Sequence, residues 1–315
     1  MGDLASSQPA EALLLLVTGA SGNVGRALLP ELLPRLAAAG HGDVVFGVRN
    51  RADARRRFAG TPLADVHSIS MDLAGPRPLA AIDGMSIRGV LHLAAETRSG
   101  QLARNLRVNR DGTAALVGLA RERGHVPFIH FSTPLAQSRR PSPYGVSKQA
   151  AEHVVQDSGL PYAILRPQFL MSPLRPGMDG GFARLVSLAQ LPVLPFPDPD
   201  LVLAPLYVGD LADAVLGWLS HGPAGDVCAM RGDPVTFRTF YRAVRRLLGR
   251  GPRLLSMGIS AARMQRWEAF ARCATRRDPS WGLLGGHDAS NTADGGLLRG
   301  PTPFNIALER CLLAA

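Results

Sequence analysis

Five apolar residues, Leu13-Leu14-Leu15-Leu16-Val17, run straight into Thr18-Gly19-Ala20-Ser21-Gly22-Asn23-Val24-Gly25, and this junction constrains the chain more than any other stretch. The run is too short to cross a membrane or serve as a signal core, and it reads as a buried strand. Gly19 permits a tight turn, Gly22 lets backbone approach a diphosphate, and Gly25 lets the next helix lie against the strand. A helix opening near Gly22 aims its first N–H groups at negative charge. Strand, glycine turn and helix in this order suit the pyrophosphate of a dinucleotide, with Gly19, Ser21, Gly22, Asn23, Val24 and Gly25 as the contacting residues.

The pattern then repeats. Leu13–Thr18, Val44–Val48, Val66–Ser70, Gly89–Leu93, Val126–Phe131 and Ala163–Leu165 read as short buried strands, separated by helical stretches such as Asn105–Arg123 and Tyr144–Asp157. Such alternation predicts an α/β fold built on a doubly wound parallel sheet of Rossmann type. Pro30 and Pro34 fall inside the first helix and predict a kink or restart there. After Pro167 the texture turns proline- and glycine-rich, with a helix over Phe182–Gln190. A strand Leu206–Val208 and helices over Asp210–Leu219, Val235–Leu248, Ile259–Thr275 and Ile306–Leu313 follow. The expected organisation is a flexible N-terminus (1–11) and a dinucleotide-binding domain (12–170, with 205–232 returning to it). A smaller, mainly helical C-terminal substrate-binding region takes 171–204 and 233–315.

Composition narrows the function. Hydrophobic residues are 46% of 315, enough for a large core. Cys228, Cys273 and Cys311 form no CxxC pair, which fits a reducing cytoplasm and argues against a metal site. Gly2 with Ser6 matches a myristoylation pattern of a kind that arises by accident. The net charge of +10 comes from 34 arginines and one lysine, Lys148. Clusters at Arg55–Arg57 and at Arg242, Arg245, Arg246 and Arg250 read as solvated basic surface. With no nucleic-acid motif beside them, neither a nucleic acid nor a membrane is the expected partner.

Chemistry concentrates at a few positions. After the second strand stands Val48-Arg49-Asn50-Arg51 with no carboxylate, so Arg49 suits an adenosine 2′-phosphate; NADP(H) is favoured and NAD(H) is the alternative. Asp72, followed by Leu73, reads either as the acceptor of the adenine amino group or as a loop aspartate. Leu93-Ala94-Ala95 lets backbone lie against the dinucleotide, while His92 just before it reads as a core histidine. Tyr144 and Lys148 are four apart on one helix, so phenol and ammonium share a face. A nearby cation eases proton loss from a phenol. By chance a lone lysine would sit four places after one of four tyrosines about one time in eighty. Phe131-Ser132-Thr133 ends the fifth strand, where Ser132 or Thr133 could donate to a substrate carbonyl.

Together these residues resemble the short-chain dehydrogenase/reductase superfamily in its extended, epimerase/dehydratase-like class. The likeness runs from about Leu13 to Leu219 through Thr18–Gly25, Asp72, Leu93–Ala95, Asn109 with Gly112-Thr113, Ser132-Thr133, Tyr144 with Lys148, Arg166-Pro167 and Val208–Ala212. The resemblance implies catalytic roles for Thr133, Tyr144 and Lys148 and a supporting one for Asn109. It also implies ribose contacts for Lys148, backbone from Pro167 to Phe169 near the nicotinamide, and a helix-paired homodimer. Pro134-Leu135-Ala136-Gln137 and Gln168-Phe169-Leu170-Met171 depart from the runs usual in sugar-modifying members. The expected activity is therefore an NADP(H)-dependent oxidoreductase acting on a carbonyl or hydroxyl of a small, fairly apolar molecule. A nucleotide-sugar-type epimerase or dehydratase and a non-catalytic dinucleotide sensor are the two alternatives.

Overall fold

The computed structural model describes residues 13–139, 141–175, 177–178, 180–190, 194–196, 200–251, 254–256 and 296–313. The 1–11 segment, the Gly2/Ser6 pattern, Cys273 and the helix expected over Ile259–Thr275 lie outside them.

The first half is β1 (Leu14–Thr18), α1 (Asn23–Ala38), β2 (Val44–Val48), α2 (Arg51–Phe58), β3 (Ser68–Ser70), β4 (Ile87–His92), α3 (Leu102–Leu106), α4 (Gly112–Glu122), β5 (Phe128–Phe131), α5 (Pro143–Gln156) and β6 (Tyr162–Pro167). Then come β7 (Leu170–Met171), α6 (Gly181–Ala189), β8 (Leu194–Phe196), β9 (Val202–Leu203), β10 (Leu206–Tyr207), α7 (Val208–His221), β11 (Asp226–Arg231), β12 (Val235–Thr236), α8 (Phe237–Leu247), β13 (Leu254–Ser256), β14 (Gly296–Arg299) and α9 (Phe304–Leu313). Eight strands form one sheet in the order β14-β11-β6-β5-β4-β1-β2-β3, and each neighbouring pair in it is parallel. This is the doubly wound, Rossmann-type sheet expected, with its order reversing between β1 and β4.

Alternation along each strand decides which helix layer it meets. Leu15, Val17, Phe46, Val48, Leu91, Ile129, Phe131, Ala163 and Leu165 join Leu28, Leu29, Leu32 and Leu36 of α1 and Leu211 and Val215 of α7 in one core. Leu16, Val45, Val90, Phe128 and Ile164 point the other way, onto Leu116, Val117 and Ala120 of α4 and Val155 of α5. Both faces are thus covered, as a parallel sheet requires.

Several expectations shift. α1 does not restart at its prolines: it runs unbroken from Asn23 to Ala38 with Pro30 and Pro34 inside it. Neither proline is in the buried stripe of Leu28, Leu29, Leu32 and Leu36. Pro30 cannot donate to the Arg26 carbonyl, but Arg175 Nη1 does so at 3.0 Å, replacing the missing helix bond. Val235 and Thr236, expected as helix, pair with Leu203 and Val202 instead; the helix begins after them because the Thr236 hydroxyl caps the Thr239 N–H. β11 and β14 extend the main sheet, so residues 296–299, far beyond 232, also belong to it. α3 and α4 are joined by a π-helical turn over Arg107–Asp111 rather than forming one uniform helix.

Candidate functional site

The carboxyl ends of β1, β4 and β5 converge where the strand order reverses. Gly19 adopts φ +76, and a Cβ there would lie 2.4 Å from the Ala94 backbone N, so the glycine turn rests directly on the strand-end backbone of Leu93 and Ala94. Gly22 caps α1 without any side-chain hydrogen bond to the first turn, and Gly25 is buried behind it. Ser21 and Asn23 are half-buried, Val24 packs on the core, and the Asn23 side-chain oxygen accepts from Arg26 Nη2 at 3.4 Å. A turn that only glycine can make, leading to a helix end with no side-chain cap, fits a dinucleotide pyrophosphate.

The remaining expected contact residues stand at or just past the carboxyl ends of β2, β3 and β6. Arg49 is exposed after β2 and makes no ion pair among the described residues. Asp72 is exposed and its carboxylate accepts from the Ala74 N–H at 3.1 Å, while Leu73 is buried. Pro167 closes β6 in register with Met230. The Phe169 ring is buried against Phe182 and Phe240, and its carbonyl accepts from the Leu206 N–H at 2.8 Å.

Behind the glycine turn lies a buried polar chain. His92 bonds Thr18 Oγ1 through Nδ1 at 2.7 Å and Thr113 Oγ1 through Nε2 at 3.0 Å. The Thr113 hydroxyl donates to the Asn109 carbonyl at 2.5 Å. Asn109 sits in the π-helical turn, fully buried; its side-chain oxygen accepts from the Glu96 N–H at 2.7 Å, and its amide donates to the Glu96 carbonyl at 3.0 Å and to Ser147 Oγ at 2.8 Å. One side chain thereby ties the β4 loop to α5, next to Lys148. The core reading of His92 matches a fully buried ring bonded at both nitrogens.

α5 starts where it does because Ser142 accepts from the Gly145 N–H at 3.2 Å and Pro143 takes the first helical position. A Cβ on Gly145 would lie 2.6 Å from the Leu135 carbonyl oxygen, so this glycine lets the helix press against the turn that follows Thr133. Tyr144 is half-buried and Lys148 is 1% exposed, on the helix face that also buries Ser147, Ala151 and Glu152. Thr133 Oγ1 accepts from the Leu135 N–H at 3.3 Å, which leaves its O–H to donate; Ser132 Oγ is buried and bonded to nothing among the described residues. Lys148 Nζ lies 3.0 Å from His130 Nε2. Burial holds the Lys148 amine down at about 7, although the Glu152 carboxylate favours its charge. Glu152 itself grips Arg166 with two bonds of 2.9 and 2.6 Å.

Burial, and then the Lys148 charge, press His92 down to about 3, and His130 is held well below its ordinary value by the same two causes in the same order. The unfolded chain, whose histidines titrate near 6.5, therefore binds protons first as pH falls. Stability is expected to drain away below pH 6.5 by up to about 1.4 kcal/mol per pH unit for each of the two rings. Urea unfolding between pH 7 and 4.5 measures this, and His92→Gln should give the shallower slope; parallel slopes would contradict it.

Sequence reasoning overlooked His130 and the Glu152–Arg166 pair. A polar residue in the middle of the apolar strand Phe128–Phe131 was the available signal for the first.

The family model described as NAD dependent epimerase/dehydratase family matches residues 15–229. Divinyl chlorophyllide a 8-vinyl-reductase, chloroplastic, of Oryza sativa subsp. indica is 28% identical over 278 residues, 83% of this chain and 65% of the rice protein, so the chain spans just under two thirds of that relative's length. The structure is similar to the Bordetella bronchiseptica enzyme WbmG in complex with NAD and UDP (TM-score 0.68, 17% identity, 97% of this chain and 94% of that one). It is also similar to RMD from Pseudomonas aeruginosa complexed with NADPH (TM-score 0.58, 24% identity, 78% and 85%). Among the described residues no helix is long and apolar enough to cross a membrane. With two thirds of its length matched by that model, the chain belongs to the NAD dependent epimerase/dehydratase family.

Proposed function

We propose that this protein is an NADP(H)-dependent oxidoreductase acting on a carbonyl or hydroxyl of a small, fairly apolar molecule. The observation that carries the reading is the single lysine, buried on the α5 face one turn after Tyr144 and joined through Ser147 and Asn109 to the β4 loop beneath the glycine turn. The nicotinamide, when bound, supplies or accepts the hydride. Gly19 to Gly25 hold the pyrophosphate, Arg49 meets a 2′-phosphate, and Lys148 holds ribose hydroxyls. The Thr133 O–H donates to the substrate oxygen and steadies it, with Ser132 as the alternative donor at the same strand end. The Tyr144 O–H gives the proton to that oxygen during reduction and takes it back during oxidation. Residues 171–204 and 233–315, apart from β14, form the substrate-binding region, and the packing of Phe182 and Phe240 from it on Phe169 gives it an apolar base. The rice relative is named as a reductase, which favours net reduction over internal return of the hydride.

The test is a panel of apolar aldehydes and ketones, with nucleotide sugars beside them, given with 4-deuterated NADPH. Net NADPH consumption with deuterium in the product is expected. Isomerised or dehydrated nucleotide sugar without net consumption would select the epimerase or dehydratase alternative, and tight binding without reaction would select the sensor. Reversing the charge with Arg49→Glu is expected to raise KM for NADPH by about tenfold or more, from the loss of a charge-assisted bond, while leaving that for NADH nearly unchanged. Equal effects on both cofactors would remove Arg49 from the 2′-phosphate.

A further inference from the structure

Among the described residues Lys148 is the largest charged side chain with less than 2% exposure, and burying an ammonium is costly unless something accepts from it. The groups around it are few. On its own helix stand Tyr144 one turn before and Glu152 one turn after; β6 contributes Arg166, β5 contributes His130, and β4 contributes His92 behind His130. Glu152 carries the negative charge, but both of its oxygens are taken by Arg166. His92 uses both ring nitrogens on Thr18 and Thr113. Among the described residues the hydrogen-bond partner of Nζ is His130 Nε2, at 3.0 Å. Strand pairing fixes that ring: His130 lies opposite His92 in the β4–β5 register, with ring centroids 5.2 Å apart. It is fully buried, and its Nδ1 has no partner among the described residues. A leucine would fill this apolar strand position at lower desolvation cost, so the ring is explained by what its Nε2 does.

We propose that His130 is the positioning residue for Lys148. Its neutral imidazole, protonated on Nδ1, accepts from Nζ and fixes both where the amine stands beneath the site and how readily it keeps its proton. A second positive charge on His130 would oppose the ammonium, so the ring serves only as an acceptor. The inference rests on the reading of Lys148 as the cofactor- and tyrosine-directed amine, but its test needs neither turnover nor dinucleotide.

Because the chain has one lysine, incorporating lysine labelled with 13C at Cε gives a single side-chain resonance whose pH titration reports Lys148 alone. The midpoint should lie well below the ordinary lysine range in the natural protein. In His130→Leu, where the charged amine loses its acceptor, it should fall by about one further pH unit. In His130→Gln, whose side-chain oxygen can accept, most of that shift should be recovered. If His130→Leu does not fold, His130→Asn, shorter by one methylene and unable to reach Nζ, takes its place against His130→Gln. An unmoved midpoint in a folded acceptor-less variant overturns the inference, whatever Tyr144 does. Conversely, a dispensable Tyr144 would overturn the oxidoreductase reading and leave the lysine titration as it stands.

Discussion

Changing Tyr144 to phenylalanine is expected to lower kcat on the order of a thousandfold while the dissociation constant for NADPH stays within about twofold, since a positioned proton donor contributes about 10²- to 10⁴-fold. The substitution removes one oxygen and keeps the ring. Tyr144 is in the first turn of α5, held by the Ser142 cap and by the contact of Gly145 with the Leu135 carbonyl, neither of which involves the phenol oxygen. The Ser142 cap and the Gly145–Leu135 contact that start the helix should therefore persist. Stopped-flow reduction together with fluorescence titration of NADPH separates the two quantities. Retained turnover would mean that another group moves the proton, and parallel loss of binding would mean that the ring, rather than its hydroxyl, matters.

The second large effect concerns Gly19. With φ +76, any side chain there adopts the left-handed conformation, at a cost of about 1–2 kcal/mol. Its Cβ would also stand 2.4 Å from Ala94 N and 2.6 Å from Ala94 Cα, which must move, adding about 1–3 kcal/mol of overpacking. Both atoms are backbone at the end of a central strand, so they cannot swing aside. Gly19→Ala is expected to lose several kcal/mol of stability and, where it folds, to bind NADPH at least tenfold more weakly, because the displaced turn is the proposed seat of the pyrophosphate. Denaturant unfolding and calorimetric titration would show both. Wild-type binding in a stable Gly19→Ala protein would mean that the turn is not the pyrophosphate seat.

Much of this architecture was legible because it rests on local rules. The run Leu14–Val17 leads into a glycine whose positive φ no other residue tolerates cheaply, and the apolar strands of the first half announce a parallel sheet by their spacing. Tyr144 and Lys148 stood out because the chain has a single lysine. What escaped depends on distant partners. The unbroken α1 could not be foreseen from Pro30, since the replacement donor, Arg175, is 149 residues from the Arg26 carbonyl it serves. Val235 and Thr236 join a helix by pattern and a strand by pairing, because Val202 and Leu203 offer them a ladder. The Lys148–His130 contact needs the β4–β5 register and the docking of α5, neither of which is written in the neighbourhood of His130.

The widened turn at Arg107–Asp111 has a consequence for how this lineage can change. An α-helix advances about 100° per residue, so deleting one residue there to regularise the coil would rotate the preceding segment about its axis by roughly that angle relative to α4. Asn109 could then not face the Glu96 backbone and Ser147 together. Length at this point is therefore as constrained as residue identity: homologues that preserve the asparagine clamp should preserve the extra residue with it, while surface loops such as the one after α2 remain open to insertion.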